Sequence, residues 1–106
     1  MKSKLLILGG IAGCMLALPG AQAADVQAGK SMYQSVCVSC HGTEGQGQAI
    51  FPALTGKGAD QLVDLLKRYR AGEEVGDNTA LMRPQAQNLS DDDIANVSTF
   101  IASEFN

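Results

Sequence analysis

Five consecutive residues, Cys37-Val38-Ser39-Cys40-His41, constrain this chain more than any other stretch of it. Two of the three cysteines and the only histidine fall there. The Cys-x-x-Cys spacing sets two thiols about one helical turn apart, and the next residue adds an imidazole. The chain has 106 residues, room for one domain. A domain of that size buries a limited fraction of its surface, and this one has no Trp, three Phe and two Tyr. Small cores of this kind are usually stapled by a disulfide, a metal or a cofactor. The fold therefore turns on what Cys37, Cys40 and His41 hold.

The N-terminus is set apart from that domain. Residues 1–23 read MKSKLLILGGIAGCMLALPGAQA: two lysines, an apolar run from Leu5 to Leu18, then Ala21-Gln22-Ala23 as a small-x-small cleavage site. The run is short for a span of about 20 residues, and Pro19-Gly20 interrupts it. The expectation is a secretory signal cleaved after Ala23, a domain at 24–106 and a periplasmic location. An alternative lies in Ile11-Ala12-Gly13-Cys14, which resembles a lipoprotein box and would anchor the protein by a lipid on Cys14. The chain stays apolar after Cys14, where a lipoprotein usually turns polar. Losing Lys2 and Lys4 with the leader takes the formal charge from −3 to −5. An acidic surface argues against nucleic acid and anionic lipid as partners and suits a basic docking patch on another protein.

Three segments have helical spacing. In 26–36, Val26, Gly29, Met32, Tyr33 and Val36 share a face, with Asp25 as the expected N-cap. In 59–71 the stripe is Leu62, Leu65, Leu66 and Tyr69; Asp60 is the expected cap, with basic residues in the last turn and Gly72 as the stop. In 91–104 it is Ile94, Val97, Ile101 and Phe105, with Phe100 beside it; Ser90 and Asp93 form an approximate capping box. Residues 42–58 and 73–89 read as loops, broken by glycines and by Pro52 and Pro84. No alternating run is long enough for a strand. Loops of this length in a compact domain are usually functional, and these are expected to wrap around something.

Cys-x-x-Cys-His is the attachment pattern of a c-type haem. Two thiols one turn apart can add to the two vinyl groups on one edge of a porphyrin, and the adjacent histidine then offers a ring nitrogen to the iron. The other readings are weaker. A structural zinc site wants four Cys/His ligands, and residues 24–106 offer three. A thioredoxin-like pair is expected near a βαβ pattern. A disulfide between residues so close closes a tiny loop and gains little entropy. For a second axial ligand the domain has Met32 and Met82. Met32 lies on an apolar helix face and reads as core; Met82, between two helices, is the better candidate by elimination, its alternative being a loop residue plugging the core. His/Met ligation closes both faces of the iron and raises its potential.

The ordered set GKSMYQSVCVSCHG (29–42), FPALTGK (51–57), LVDLLKRYRAGE (62–73) and ALMRPQAQNLSDDDIANVSTFIASE (80–104) resembles class I c-type cytochromes of the short bacterial type, the branch of cytochrome c5 and single cytochrome c4 domains. The resemblance implies an all-α cytochrome c fold, three main helices wrapped around one covalently bound haem c. It implies thioethers at Cys37 and Cys40, His41 and Met82 as axial ligands, a Pro52 carbonyl that accepts from the ligand histidine, and Leu54 in the haem pocket. Gly29 and Phe100 resemble the family's contact between first and last helices, with Phe where many relatives carry Tyr or Trp. Lys57 and Arg83 are candidate propionate partners. The implied function is a periplasmic single-electron carrier, not an enzyme, monomeric or in weak complexes with redox proteins left unidentified. Two alternatives stay open on the sequence: a haem-bearing subunit of a larger oxidoreductase, and an open-face haem sensor or peroxidase if Met82 does not bind iron.

Overall fold

The computed structural model describes residues 23–106. The cleavage-site and Cys14 readings lie outside the described residues, apart from Ala23 itself. The chain forms α1 (Val26–Met32), a π-helical turn (Tyr33–Cys37), α2 (Val38–His41), α3 (Ala59–Arg70), α4 (Thr79–Gln87) and α5 (Asp91–Glu104). Among the described residues the only extended pairing is an isolated bridge between Gln48 and Phe51. The fold is all-α, as expected, and no described helix is long and apolar enough to cross a membrane.

Local chemistry starts and stops these helices. Asp25 caps α1, its side chain accepting from the Gln27 and Ala28 N–H groups at 3.0 and 3.1 Å. Ser90 and Asp93 form a reciprocal capping box at the start of α5, both bonds 3.0 Å. α3 ends in a Schellman motif: Glu73 N–H donates to the Arg68 carbonyl at 3.1 Å and Gly72 N–H to that of Tyr69 at 3.0 Å. Gly72 takes a φ of 82° there, a left-handed conformation costly for other residues.

Three local expectations need correction. Asp60 does not cap α3; Gly58 is the N-cap and offers no side-chain bond. Asp60 lies within the first turn, where its charge faces the positive end of the helix dipole. The 73–89 stretch is not all loop, because α4 occupies nine residues of it with Pro84 inside. The first helix does not end at Val36: it widens into the π-helical turn and resumes as α2. In that turn Val38 N–H donates to the Tyr33 carbonyl, five residues back, and the Ser35 hydroxyl donates to the Ser31 and Met32 carbonyls at 3.0 and 3.2 Å. One inserted residue rotates the downstream segment by about 100°, and so resets the direction of Cys37, Cys40 and His41.

The core sits where α1 crosses α5. Gly29 is buried in the crossing: a Cβ there would lie 2.1 Å from the Asn96 carbonyl oxygen and 2.9 Å from Phe100 Cβ. Only a residue without a side chain allows this approach. Asn96 Oδ1 in turn accepts the Asp25 N–H at 2.8 Å. Tyr33, Phe100 and Phe105 stack around the crossing with ring centroids 5.0–5.7 Å apart, two of the pairs edge-on. Ile94, Val97 and Ile101, three of the four residues of the stripe read from the sequence, are buried on α5; the fourth, Phe105, is half-buried at its C-cap. α3 packs against both α4 and α5.

Candidate cofactor site

A cavity of about 620 Å³ lies under the Cys37–His41 segment. Its size falls in the range of cofactor sites, ~300–1,000 Å³. The walls include Val36, Cys37, Cys40 and His41 from the first helical segment; Phe51, Pro52 and Leu54 from the loop after it; Leu62, Leu65, Leu66 and Tyr69 from α3; Leu81, Met82 and Gln85 from α4; and Val97 and Ile101 from α5. The α3 stripe that periodicity marks as core therefore faces this cavity. The loops wrap around it as their length suggested.

His41 is buried at 9% exposure. Its Nδ1 lies 2.8 Å from the Pro52 carbonyl oxygen. A carbonyl can only accept, so Nδ1 carries a proton, which in the neutral ring leaves the lone pair on Nε2, the tautomer a metal ligand needs. The loop that brings Pro52 back depends on Gly47. Its N–H donates to the His41 carbonyl at 2.7 Å, its φ is 74°, and a Cβ there would lie 2.6 Å from the Phe51 carbonyl oxygen. The Tyr33 hydroxyl donates to the Gly42 carbonyl and fixes the start of the same loop. Burial raises the Tyr33 pKa, with the neighbouring Cys37 adding to it.

Both thiols are free and half-buried. Burial pushes the Cys37 thiol up to about 11, and the nearby Cys40 adds to the shift. Cys37 is therefore a neutral thiol at pH 7. No disulfide joins the pair. Among the described residues no group of three or more His, Cys, Asp or Glu is placed to hold a metal ion by itself.

The structure brings Cys37, Cys40, His41, Pro52, Leu54 and Met82 to one cavity. Met32 packs instead against the core cluster of Tyr33 and Phe100. The two candidate anion partners part company. Lys57 lines the cavity. Arg83 turns to the Gly72 carbonyl at 3.1 Å and the Glu74 carboxylate at 3.3 Å. Sequence reasoning passed over Thr79, which is 1% exposed; a threonine in a stretch that reads as loop carries no distinguishing signal. It also passed over Ile50 and Leu81, the large hydrophobics left exposed, at 56% and 51%. Both line the cavity mouth.

Comparison with known proteins agrees with this geometry. The family model described as cytochrome c matches residues 26–104. The chain is 48% identical over 83 residues to cytochrome c-554(548) of Halomonas halodenitrificans, covering 77% of this chain and 99% of that protein. It is 36% identical over 89 residues to cytochrome c-554(547) of Halothiobacillus neapolitanus, covering 76% and 98%. Its fold is similar to the cytochrome c4 structure from Acidithiobacillus ferrooxidans, with a TM-score of 0.67 and 28% identity over 80% of this chain. This chain spans about half of that one, 52%.

Proposed function

On the premise that the chain belongs to the cytochrome c family, as a small monohaem class I member related to cytochromes c4, c-553 and c-554, we propose that Cys37 and Cys40 carry the thioether links and that His41 and Met82 are the axial ligands. The protein is a periplasmic electron carrier rather than an enzyme, with one covalently attached haem c. The residues fit that group. An apolar cavity of about 620 Å³ holds two free thiols, a histidine with its outer nitrogen available and a thioether sulfur. Bound haem supplies one-electron chemistry, its iron alternating between ferrous and ferric.

The chain's own residues do the rest. Pro52 orients His41 through its carbonyl and keeps the ring basic. Leu54, Leu62, Leu65 and Leu66 exclude water and lower the local dielectric. Met82 would offer a soft, weakly donating thioether, which favours the reduced state and raises the potential. The observation that carries this reading is the convergence of His41, already in its ligand tautomer, and Met82 on one cavity with both thiols. Met82→Ala tests it. The variant is expected to lose the far-red sulfur-to-iron band of the ferric protein and to fall in potential. A variant with both unchanged refutes the Met82 assignment; a wild-type ferric protein that lacks the band and binds cyanide or carbon monoxide readily favours an open-face haem protein.

We further propose that redox partners dock at the cavity mouth, with Ile50 and Leu81 as the close apolar contact. A tight turn presents Ile50: Gln48 and Phe51 exchange N–H···O bonds of 2.8 and 3.0 Å, leaving Ile50 at the tip. The net acidic charge suits a basic partner, so electron transfer slows as salt rises. Export by a leader cleaved after Ala23 completes the reading, and N-terminal sequencing of the periplasmic protein distinguishes it from lipidation at Cys14.

A further inference from the structure

We propose that Thr79 and Arg83 are positioning residues for the Met82 sulfur: together they clamp α4 to the segment that joins it to α3, and so set how tightly Met82 is held at its ligand position. The proposal rests on the Met82 assignment above.

α4 cannot hold itself. At nine residues it is shorter than the ~12–15 that an isolated helix needs. Its N-cap, Asn78, makes no side-chain bond. Pro84, inside it, has no N–H to return to the carbonyl four residues back. The helix that carries Met82 must be fastened from outside.

Two side chains fasten it. Thr79 and Arg83 stand four residues apart, on one face of α4. The Thr79 hydroxyl accepts from the Val75 and Gly76 N–H groups at 3.0 and 2.9 Å and donates to the Gly76 carbonyl at 2.7 Å. That saturates a hydroxyl's capacity, and at 1% exposure the hydroxyl itself has no access to water. Arg83 reaches the other end of the segment, donating to the Gly72 carbonyl at 3.1 Å. Its pairing with Glu74 is mostly solvated, the carboxylate side chain being 81% exposed, and contributes little. Gly72 is the residue that terminates α3, so the clamp references α4 to the helix whose leucines line the cavity. Arg83 Nε is buried without a partner. A group that commits a buried donor to this position marks the guanidinium as seated in the fold rather than free on the surface. Met82, adjacent to Arg83, faces the cavity while its neighbour faces the clamp.

Loosening the clamp raises the fraction of molecules in which Met82 has left its position, without removing the ligand. The test uses the ferric holoprotein and exogenous imidazole, which competes with Met82. Thr79→Val is nearly isosteric and takes the acceptor away from the part-buried Val75 and Gly76 N–H groups. Its apparent imidazole affinity is expected to rise about tenfold, with a weaker far-red band; Thr79→Ser is expected to restore both. Arg83→Gln is expected to raise the affinity about threefold, and carries the test if Thr79→Val yields no holoprotein. Asp25→Ala, which uncaps α1, serves as a control for general destabilisation, with imidazole affinity unchanged. Thr79 and Arg83 variants that lose stability but bind imidazole as the wild type does overturn the proposal. Met82→Ala keeps the two readings apart: if it leaves the far-red band and imidazole affinity unaltered, the ligand assignment itself fails.

Discussion

Gly29→Ala sets two well-known effects against each other, and the structure decides which wins. Alanine in a helix interior is favoured over glycine by about 1 kcal/mol. At this position the new methyl would lie 2.1 Å from the Asn96 carbonyl oxygen, 2.6 Å from its carbon and 2.9 Å from Phe100 Cβ. An ordinary C···O contact is about 3.3 Å or more, so α1 and α5 must separate by about 1 Å. A backbone carbonyl inside a helix cannot rotate away, which places the overpacking cost near the top of the usual range, about 3 kcal/mol. Separation also stretches the 2.8 Å bond from Asp25 N–H to Asn96, worth about 1 kcal/mol, and loosens Phe100 from Tyr33 and Phe105. The net expectation is a loss of about 3 kcal/mol. That is a large share of the ~4–12 kcal/mol typical of a domain this size. Urea unfolding of the holoprotein, followed by far-ultraviolet circular dichroism, reads it directly. With a slope of about 1 kcal/mol/M the midpoint falls by about 3 M. A midpoint equal to or above wild type would refute the reasoning, because propensity alone would then govern the site and the helices would not be in contact there.

Other outcomes rest on single observations. Ser98 is fully buried and its hydroxyl has no partner, so Ser98→Ala is expected to be neutral or to stabilise by up to about 1 kcal/mol; a loss in the same urea assay would reveal a bond that the geometry does not contain. Ser90→Ala removes one half of the α5 capping box and is expected to cost about 1 kcal/mol, read as a lower midpoint. Arg70 holds Asp91 at 2.6 Å, and its hydrogen bond and charge lower the Asp91 pKa from the ordinary 3.8. A depressed carboxylate stabilises the fold fully above its unfolded pKa and loses that contribution as pH falls through the folded value. The difference in midpoint between wild type and Asp91→Asn is therefore expected at pH 7 and absent near pH 2; a difference that persists in acid would show that the charge is not its source.

How far the fold is legible in the sequence depends on the range of the forces involved. The caps at Asp25 and Ser90 and the stop at Gly72 involve bonds between residues two to five apart, and the apolar stripes of α3 and α5 are plain periodicity. Local reasoning misreads α4, because Gly76 and Pro84 are breakers on any local scale. The free energy of α4 comes from elsewhere: the Thr79 bonds, the reach of Arg83 to Gly72, and packing on α3. Asp60 fails as the expected cap because the N-cap is Gly58, two residues earlier, which leaves Asp60 inside the first turn. In sequence Arg83 reads as a candidate propionate partner beside Met82, and only the folded chain directs it to the end of α3.

By itself the sequence determined the chemistry: two thiols and an imidazole at a spacing only one kind of site uses well, in a chain of a size that usually carries a staple. It also determined where α1 and α5 begin and where α3 ends, since those decisions are made within a turn. Tertiary structure decided where the groups meet. The π-helical turn rotates the Cys37–His41 segment, the Gly47 loop returns Pro52 to His41, and a helix that could not stand alone carries Met82 to the same cavity. Each depends on contacts between segments or on the geometry they impose. Local propensity contains no record of them.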